Sequence, residues 1–447
     1  MHPRRIIHVA TAAAIALGAM PAVAGAQGQN YPPPENPSTK STKPKGPFKT
    51  LKVGKKQKYK TIQSAVNASK PGDTVKVSRG TYKESVKVSG SKKRFIKIIG
   101  DVKDPQKVVL EGSNKLANGV QISSANGVTV RGLKARRYRA NGFFAVNVNG
   151  YVMDRLIAEL PGTYGLYAFN STGGSMTNSI SYKAADGSYY VGQTPEQTKP
   201  IRTIIRNVVG WGSVLGYSGT NSRYVTITNS KFFNNAVGLA PNTLDSEKFP
   251  PNESNVFTNN DVFWNNFDVY RGKPPFKSNR AEEFVYPPGT GFFLLSGRDN
   301  LINKNRIYGN NLVGLGIAQN PFLKAEFADA IDLQRNRIEG NAFGKNGTDL
   351  NARDTVYSTN GESNCFSGNV GINVTIPADP SFFPACPFQG KNPANDEGLI
   401  AFAGWATGKT PTNLENWQPK PHAAGANGIV PIDGVWQNGK NYGPETL

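Results

Sequence analysis

Two asparagines five positions apart recur along the chain, with a short apolar-rich run between them. They stand in NSKFFNN from Asn229, NDVFWNN from Asn260, NRIYGNN from Asn305 and NRIEGNA from Asn336. Asparagine tolerates left-handed backbone geometry and its amide can bond nearby backbone groups, so each asparagine predicts a bend. The unit is therefore strand, bend, strand, bend, strand, and its return every roughly 20–50 residues indicates a solenoid.

Earlier segments have the same pattern with other turn residues, starting at Asn126, Asn149, Gly174 and Ile201. Long helical runs and regularly spaced leucines are missing, which argues against helical and leucine-rich solenoids. Short strands with Asn and Gly corners favour an all-β fold, the parallel β-helix, whose coils stack about 4.8 Å apart. Asparagines in register would then form amide ladders. The stretches 241–253, 271–289 and 318–328 are predicted to be loops inserted into one wall of the stack.

Residues 1–26 are typical of a cleaved export signal. Arg4 and Arg5 precede an apolar run, and small residues end at Ala26. The run is about 15 residues, short of the ~20 that span a bilayer, so cleavage is favoured over a membrane anchor. The adjacent arginines leave twin-arginine export open. No other segment is apolar enough to span a membrane, so we expect no transmembrane span after signal removal.

The two cysteines, Cys365 and Cys386, are the only pair in the chain. If the protein is exported, the compartment is oxidising and a disulfide is the expected state. The alternative is two unpaired or metal-binding thiols.

The chain is strongly basic, and loss of Arg4 and Arg5 with the signal lowers its formal net charge from +21 to +19. This excess favours acidic partners: an anionic polysaccharide, a cell-wall polymer or nucleic acid. Residues 27–49 are predicted to be a basic Pro/Lys-rich linker, and the nine lysines of residues 40–60 extend it as a flexible tail. Nucleic acid is the least favoured partner, because this tail lacks the interleaved aromatics of a stacking platform.

The stretch from Thr61 to Val88, TIQSAVNASKPGDTVKVSRGTYKESVKV, predicts a short amphipathic helix carrying Ile62, Ala65 and Val66, followed by a turn and a strand. It resembles the N-terminal cap of the pectin-lyase-like, right-handed parallel β-helix superfamily, and Asn-Asn-x-x-Gly-Leu at Asn234 and Asn310 is similar to its PbH1 repeats. NCFSGN…PACP resembles the end of an exported bacterial subgroup of unassigned activity. The resemblance implies a β-helix over residues 50–370. Residues 371–447 are predicted from their composition to be a Trp/Pro/Gly-rich C-terminal tail, extended over the last coil or along one face, with a partly disordered tail as the alternative.

That superfamily includes pectate, alginate and chondroitin lyases, polygalacturonases, epimerases and tailspikes, so the fold alone does not select a function. Polygalacturonase and epimerase motifs depend on histidine, and this chain has only His2 and His8 in the signal and His422 in the tail. Copper is disfavoured for want of ligands. β-Elimination at a uronate remains open, because a Lys or Arg can act as base and neutralise the carboxylate.

The leading candidate site lies around Asp268, where Arg271 and Lys273 are the candidate base and cation. If strands alternate, three tyrosines point outward from one sheet as a stripe that could stack on sugar rings, with Asp186 beside them. The stripe would consist of Tyr167, Tyr190 and Tyr270. The alternative is ordinary outward tyrosines and a solvated basic loop.

Two further clusters are candidates. Glu326, Asp329 and Asp332 are three apart, which on a helical turn could hold Ca²⁺ or an acid–base pair; a polar loop helix is the alternative. A basic group on one coil could grip an anionic chain or be a solvated edge, and consists of Arg136, Arg137 and Arg139. No cofactor is required by the sequence, and calcium is the one metal candidate.

Together these features predict a secreted or cell-surface β-helix protein that binds an acidic polysaccharide and, as an enzyme, would cleave it by lyase-type elimination. The alternative is a non-catalytic cell-wall or surface protein that binds polysaccharide or serves a structural role.

Overall fold

The computed structural model describes residues 42–270, 274–276, 286–320, 323–344, 347 and 349–406. Within these ranges the strands pair in parallel and build coils with three faces. One face is an eleven-stranded sheet made of Val86–Ser89, Asn118–Ser123, Asn141–Val146, Leu166–Phe169, Gly187–Gly192, Leu215–Thr220, Val237–Asn242, Thr290–Leu295, Val313–Ala318, Thr355–Ser358 and Thr375–Ile376. The fold prediction, a right-handed parallel β-helix, is confirmed.

The other two faces form a twenty-stranded sheet that divides into two stacks. The first stack contains Thr50–Val53, Thr74–Val77, Lys97–Ile99, Thr129–Arg136, Val152–Glu159, Ser175–Thr177, Thr203–Arg206, Val225–Thr228, Val256–Thr258, Leu301–Asn303, Arg337–Glu339 and Cys365–Ser367. The second stack contains Gly80–Tyr82, Val108–Glu111, Ile180–Tyr182, Val209–Trp211, Lys231–Phe233, Asp261–Phe263, Arg306–Tyr308 and Ala342–Phe343. Thr129–Arg136 and Val152–Glu159 are long enough to pair in both stacks.

The remaining elements are few. Gly297–Arg298 and Leu333–Gln334 form a small sheet of their own. The α-helices are Ile62–Ala68 and Glu397–Ala406. Short 3₁₀ helices lie at Ser91–Lys93, Pro105–Lys107, Ala325–Ala330 and Pro380–Phe382.

Like residues lie over like residues along the coils, which is what fills the core. In the first stack one buried row faces inward through eight successive strands. It runs through Val130, Met153, Met176, Ile205, Ile227, Phe257, Ile302 and Ile338. Each side chain of the row packs against the equivalent side chains of the coils before and after it. The apolar area that is buried in this way stabilises the fold by roughly 25 cal/mol per Å².

Among the described residues, asparagine side chains form three ladders of four or more members at the corners, and all of these members except Asn369 are buried. In each ladder the side-chain amide of one coil donates to the amide oxygen of the next, at 2.9–3.2 Å. The ladders are Asn255–Asn300–Asn336–Asn364–Asn392, Asn260–Asn305–Asn341–Asn369 and Asn235–Asn265–Asn310–Asn351. The amide ladders predicted from the recurring asparagines are therefore confirmed.

The unit NRIEGNA is displaced by one corner relative to NRIYGNN. Asn336 lies over Asn300 and Asn341 lies over Asn305, so NRIEGNA does not stack on NRIYGNN residue for residue. Two adjacent residues at a corner also play different structural roles. Asn229 adopts the left-handed conformation, with φ of 51°, whereas the next residue, Ser230, occupies the ladder position and donates its N–H to Asn260.

The later lysines of the basic stretch, from Lys52 on, belong to the first coil, and the prediction of a flexible tail is wrong beyond Lys49. Residues Thr50–Val53 pair with Thr74–Val77, and Tyr59 packs against the core. The amphipathic helix is confirmed: Ile62, Ala65 and Val66 are buried. Its role as a cap of the first coil stays a prediction.

Within the C-terminal tail, residues Glu397–Ala406 form an α-helix where extended chain was predicted. In Glu397–Ala406 the ring of Phe402 packs against Phe293 on the outer face of the eleven-stranded sheet, with ring centroids 4.6 Å apart. Residues 407–447, which include Trp417, Trp436 and His422, lie outside the described residues. No helix within the described ranges has the length and apolar character that a membrane crossing demands.

The predicted disulfide between Cys365 and Cys386 is confirmed. It ties the last strand of the first stack to a segment 21 positions further along the chain. Because it closes a loop of this length, we expect Cys365→Ser/Cys386→Ser to lower the free energy of unfolding by about 3 kcal/mol. Urea unfolding checks this. The variant should show no change on adding reductant, whereas the natural protein should lose a comparable amount.

Candidate functional site

The outer face of the eleven-stranded sheet carries two of the three tyrosines that the sequence singled out. Leu166 lies beside Tyr189, and Tyr167 lies beside Tyr190, on neighbouring strands. Leu166 and Tyr189 join the central core, whereas Tyr167 and Tyr190 belong to a separate cluster on the other face. The alternation that was predicted for these two strands is therefore confirmed.

Tyr167 and Tyr190 are not open to solvent, and the prediction of an exposed stacking stripe is wrong for them. Their exposed fractions are 2% and 0%. The ring of Phe144 stacks on Tyr167 with centroids 4.6 Å apart, and Tyr190 lies edge-on to Tyr167 at 4.9 Å. Alternation along a strand sets the face on which a side chain lies, but it does not reveal what packs over that face.

Tyr164, which the sequence analysis did not single out, connects the tyrosines to Asp186. Its ring centroid lies 4.6 Å from that of Tyr167 and 4.7 Å from that of Tyr190. Its hydroxyl donates to the Asp186 carboxylate at 3.3 Å. Three of the predicted substrate-binding residues, Tyr167, Tyr190 and Asp186, are thus brought together around one ring.

Glu247 completes this cluster and was also missed. The Tyr190 hydroxyl donates to its Oε1, and its Oε2 is buried with no hydrogen-bond partner among the described residues. Burial is the main cause that raises the pKa of Glu247 to about 8; the Tyr190 hydrogen bond opposes the rise and the Asp186 charge adds to it. The raised pKa favours the protonated form of Glu247 in the folded protein.

The segment that carries Glu247 is held against the sheet by hydrogen bonds that involve amide side chains. The Asn221 side chain donates to the carbonyls of Leu244, Glu247 and Lys248 at 2.8–3.2 Å. The Lys248 N–H donates to the Gln193 side chain at 3.0 Å. The Glu247 carboxyl group is therefore held in a defined place over Tyr190.

A pH dependence of stability follows from the raised pKa of Glu247. The folded protein keeps the Glu247 proton up to about pH 8, whereas the unfolded chain releases it near the ordinary value of 4.5. The unfolded state thus binds fewer protons between these values, so we expect the melting temperature to fall as pH rises from about 5 to 8. Melting curves of Glu247→Gln should lack this component, and parallel curves for the two proteins would contradict it.

The second part of the predicted site is only partly described. Asp268 is buried and its carboxylate accepts the Tyr270 N–H at 3.0 Å. Tyr270 is half-buried, and its hydroxyl oxygen accepts the N–H of Tyr286 at 3.1 Å. The predicted base and cation, Arg271 and Lys273, lie outside the described residues.

The predicted cationic group divides into a structural pair and one exposed arginine. Arg136 and Arg137 both donate to Glu111, at 2.6 Å and 2.8 Å. Burial raises the pKa of Glu111, but the hydrogen bonds from Arg137, the Ser113 N–H and Arg136 outweigh it and lower the pKa to about 2. These two arginines hold neighbouring coils together, whereas Arg139 is exposed and pairs with no carboxylate of the described residues.

The three predicted calcium ligands do not converge. Glu326 and Asp329 lie on the 3₁₀ helix Ala325–Ala330, so the predicted helical turn is confirmed. However, Phe327 breaks the helical geometry between them, with φ of −117° and ψ of 22°. In the part of the chain that the structure describes, the one group with ligand atoms close enough for a metal is Glu339 with Cys365 and Cys386, and both cysteines are in the disulfide.

A row of stacked rings on the outer face of the second stack was not predicted either. Tyr182 stacks on Trp211 and Phe263 stacks on Tyr308, with interplanar angles of 4° and 9°. Phe233 continues the row between them. The signal was an aromatic residue before each left-handed corner. The rings pack face to face along the coils, which stabilises the coil stacking.

No protein-family model and no curated protein matches this sequence. Several solved structures are similar in fold. The A-module of the Azotobacter vinelandii mannuronan C-5 epimerase AlgE4 matches with a TM-score of 0.43 and 13% identity, over 74% of this chain and 93% of that one. A rhamnogalacturonan lyase matches with 0.39 and 13%, over 75% and 86%. Pectate lyase Pel9A matches with 0.39 and 12%, over 77% and 82%.

The fold is a parallel β-helix. The parallel register of the three faces establishes this. At such identities and TM-scores the solved structures say nothing about the activity of this chain.

Proposed function

We propose that this protein is a secreted β-helix protein that binds an acidic polysaccharide along the outer face of the eleven-stranded sheet and cleaves it by β-elimination. The observation that carries the proposal is the Glu247 carboxyl group. It is buried beside aromatic rings and within the field of Asp186, and burial raises its pKa to about 8. Perturbed titratable groups of this kind cluster at functional sites.

Glu247 is suited to act as the acid of an elimination. A base removes the C5 proton of a uronate, the C4–O bond breaks, and a C4–C5 double bond forms. The departing oxygen takes the proton of Glu247, which later regains one from water. Tyr190 is a poor base, because burial and then the Glu247 charge raise its pKa well above the usual value. Its role is to hold the Glu247 carboxyl group in place.

The remaining roles follow the sequence prediction. Lys273 or Arg271 is proposed as the base, and the other as the cation that stabilises the developing charge on the uronate carboxylate. Asp268 fixes the backbone of the half-buried Tyr270, which is proposed to pack against a sugar ring. Arg139, which is exposed and has no carboxylate partner among the described residues, is proposed as a contact for the acidic chain.

The disulfide is compatible with the proposed secretion, because disulfides persist in oxidising compartments.

The test is an assay of purified protein with alginate, pectate, chondroitin and a neutral glucan. The proposal predicts ultraviolet absorbance from an unsaturated uronate with one or more of the acidic polymers and none with the glucan. New reducing ends without the unsaturated product would show that the polymer is cleaved by hydrolysis and not by elimination. No product from any acidic polymer would overturn the catalytic part of the proposal.

A non-catalytic binding protein is the second candidate, and the burial of Glu247 Oε2 favours it. A substrate oxygen reaches that atom only if the 243–252 segment moves away from Tyr190. If the segment stays closed, Glu247 is a structural contact and the protein binds without cleaving. Salt-sensitive retention on acidic polymers, together with silence in the assay, would identify this case.

A further inference from the structure

The basic charge of the chain is concentrated at the N-terminal end of the β-helix. Residues 42–107 contain 19 basic and 4 acidic residues, a net charge of +15 within a chain of +21. These residues form the first coils, with strands in all three faces. The charge is therefore displayed on a folded scaffold at one end of the solenoid.

The four acids of this region leave most of the basic side chains uncompensated. Asp73 accepts the N–H groups of Lys49 and Lys70, and Glu84 accepts those of Ile62 and Gln63. Both carboxylates are thus engaged by the backbone. The other two acids form ion pairs with one cation each, Asp101 with Arg79 and Asp104 with Lys107.

Lysines lie on three neighbouring strands of the first stack, and two of them are in register. Lys52 and Lys76 are direct partners in the first stack, and Lys97 follows on the next strand, beside Thr74. All three side chains are exposed. Like charges on adjacent strands, about 4.8 Å apart, destabilise a sheet. A bound polyanion would relieve this repulsion.

We propose that these first coils form a docking surface for an anionic glycan, separate from the Glu247 cluster. We call it the lysine face and define it by Lys52, Lys76 and Lys97. Its role is to hold the protein on a carboxylated or sulfated polymer, whether or not the polymer is cleaved. It therefore goes beyond the proposed function and does not depend on it.

Two observations favour a glycan over nucleic acid. Of the 19 basic residues, 17 are lysines and only Arg79 and Arg94 are arginines. Lysine attracts as a point charge, whereas bidentate recognition of phosphate favours arginine. The surface also lacks a stacking platform: of the aromatic residues in 42–107, only Phe48 is largely exposed, at 51%.

The test compares two triple variants of the full chain. Lys52→Gln/Lys76→Gln/Lys97→Gln removes the lysine face. Lys199→Gln/Lys304→Gln/Lys391→Gln removes the same charge from exposed positions elsewhere. Binding to a polyuronate, to a sulfated glycan and to duplex DNA is measured by titration over a range of salt, with a neutral glucan as blank. Circular dichroism confirms that both variants are folded.

The lysine-face variant should bind glycan about tenfold more weakly at low salt and show a shallower salt dependence, while the control variant loses much less. The polyuronate and sulfated arms then identify which charged group is preferred. Equal losses in the two variants would overturn the proposal, because net charge alone would then explain binding. Tighter binding of DNA than of either glycan would overturn it in favour of nucleic acid.

Turnover of short oligouronates by the lysine-face variant should stay at the natural level, so failure of this proposal and failure of the catalytic one are distinguishable.

Discussion

Glu247→Gln is expected to lower the rate of unsaturated product formation by about 100-fold or more, because an amide cannot supply the proton that the departing oxygen requires. The substitution keeps the size of the side chain and can still accept the hydrogen bond from Tyr190. Binding of the polymer should therefore change little. The measurement is the turnover number on a polyuronate, together with affinity from titration.

Glu196→Gln is a matched control for this substitution. Glu196 is exposed and pairs with Arg223, outside the tyrosine cluster. It should retain turnover within a factor of about two, since surface changes are usually small. Full turnover in Glu247→Gln would remove Glu247 from the mechanism. Equal losses of turnover and melting temperature would instead assign it a structural role.

Asn305→Ala is expected to cost about 3 kcal/mol or more in the free energy of unfolding. Asn305 is fully buried, and its oxygen accepts both the N–H and the side-chain amide of Asn260. Its own amide donates to the Phe257 carbonyl and to Asn341. Alanine leaves several of these buried groups without partners, and each costs roughly 1–3 kcal/mol. Urea unfolding measures the loss.

The control for the ladder is Asn259→Gly, one position before a ladder residue. Asn259 is exposed and adopts φ of 55°, which glycine accepts without strain. Its removal should change the unfolding free energy by less than about 1 kcal/mol. If Asn305→Ala cost no more than Asn259→Gly, the ladders would not be a source of stability.

The coil architecture could be predicted because its cause repeats. The buried asparagines recur in the sequence because their side chains hydrogen-bond from coil to coil, as those of Asn260, Asn305 and Asn341 do. The register was less certain, because two adjacent corner positions share the same amino acid. The first residue of such a corner adopts the left-handed backbone conformation, and the second contributes its side chain to the ladder. The first residue need not be asparagine, since Trp264 and Lys304 occupy this position in other coils.

The candidate site was harder to predict because its contacts are long-range. The outward direction of Tyr167 and Tyr190 follows from strand alternation, and both rings do lie on that face. Glu247 is 57 positions from Tyr190 and joins it only because an inserted segment folds back over the sheet. No local pattern marks a glutamate that will be buried this way. The same segment explains why the expected exposed stripe is covered.

A crystal structure of the Glu247→Gln protein with an oligouronate would test the central claim most directly. The claim is that the outer face of the eleven-stranded sheet, at Tyr190, Asp186 and position 247, is where an acidic polysaccharide is bound and cut. We predict a sugar chain across this face, with a glycosidic oxygen within hydrogen-bond distance of the residue at position 247. A sugar chain bound only at another surface, with the 243–252 segment still closed over Tyr190, would contradict the claim.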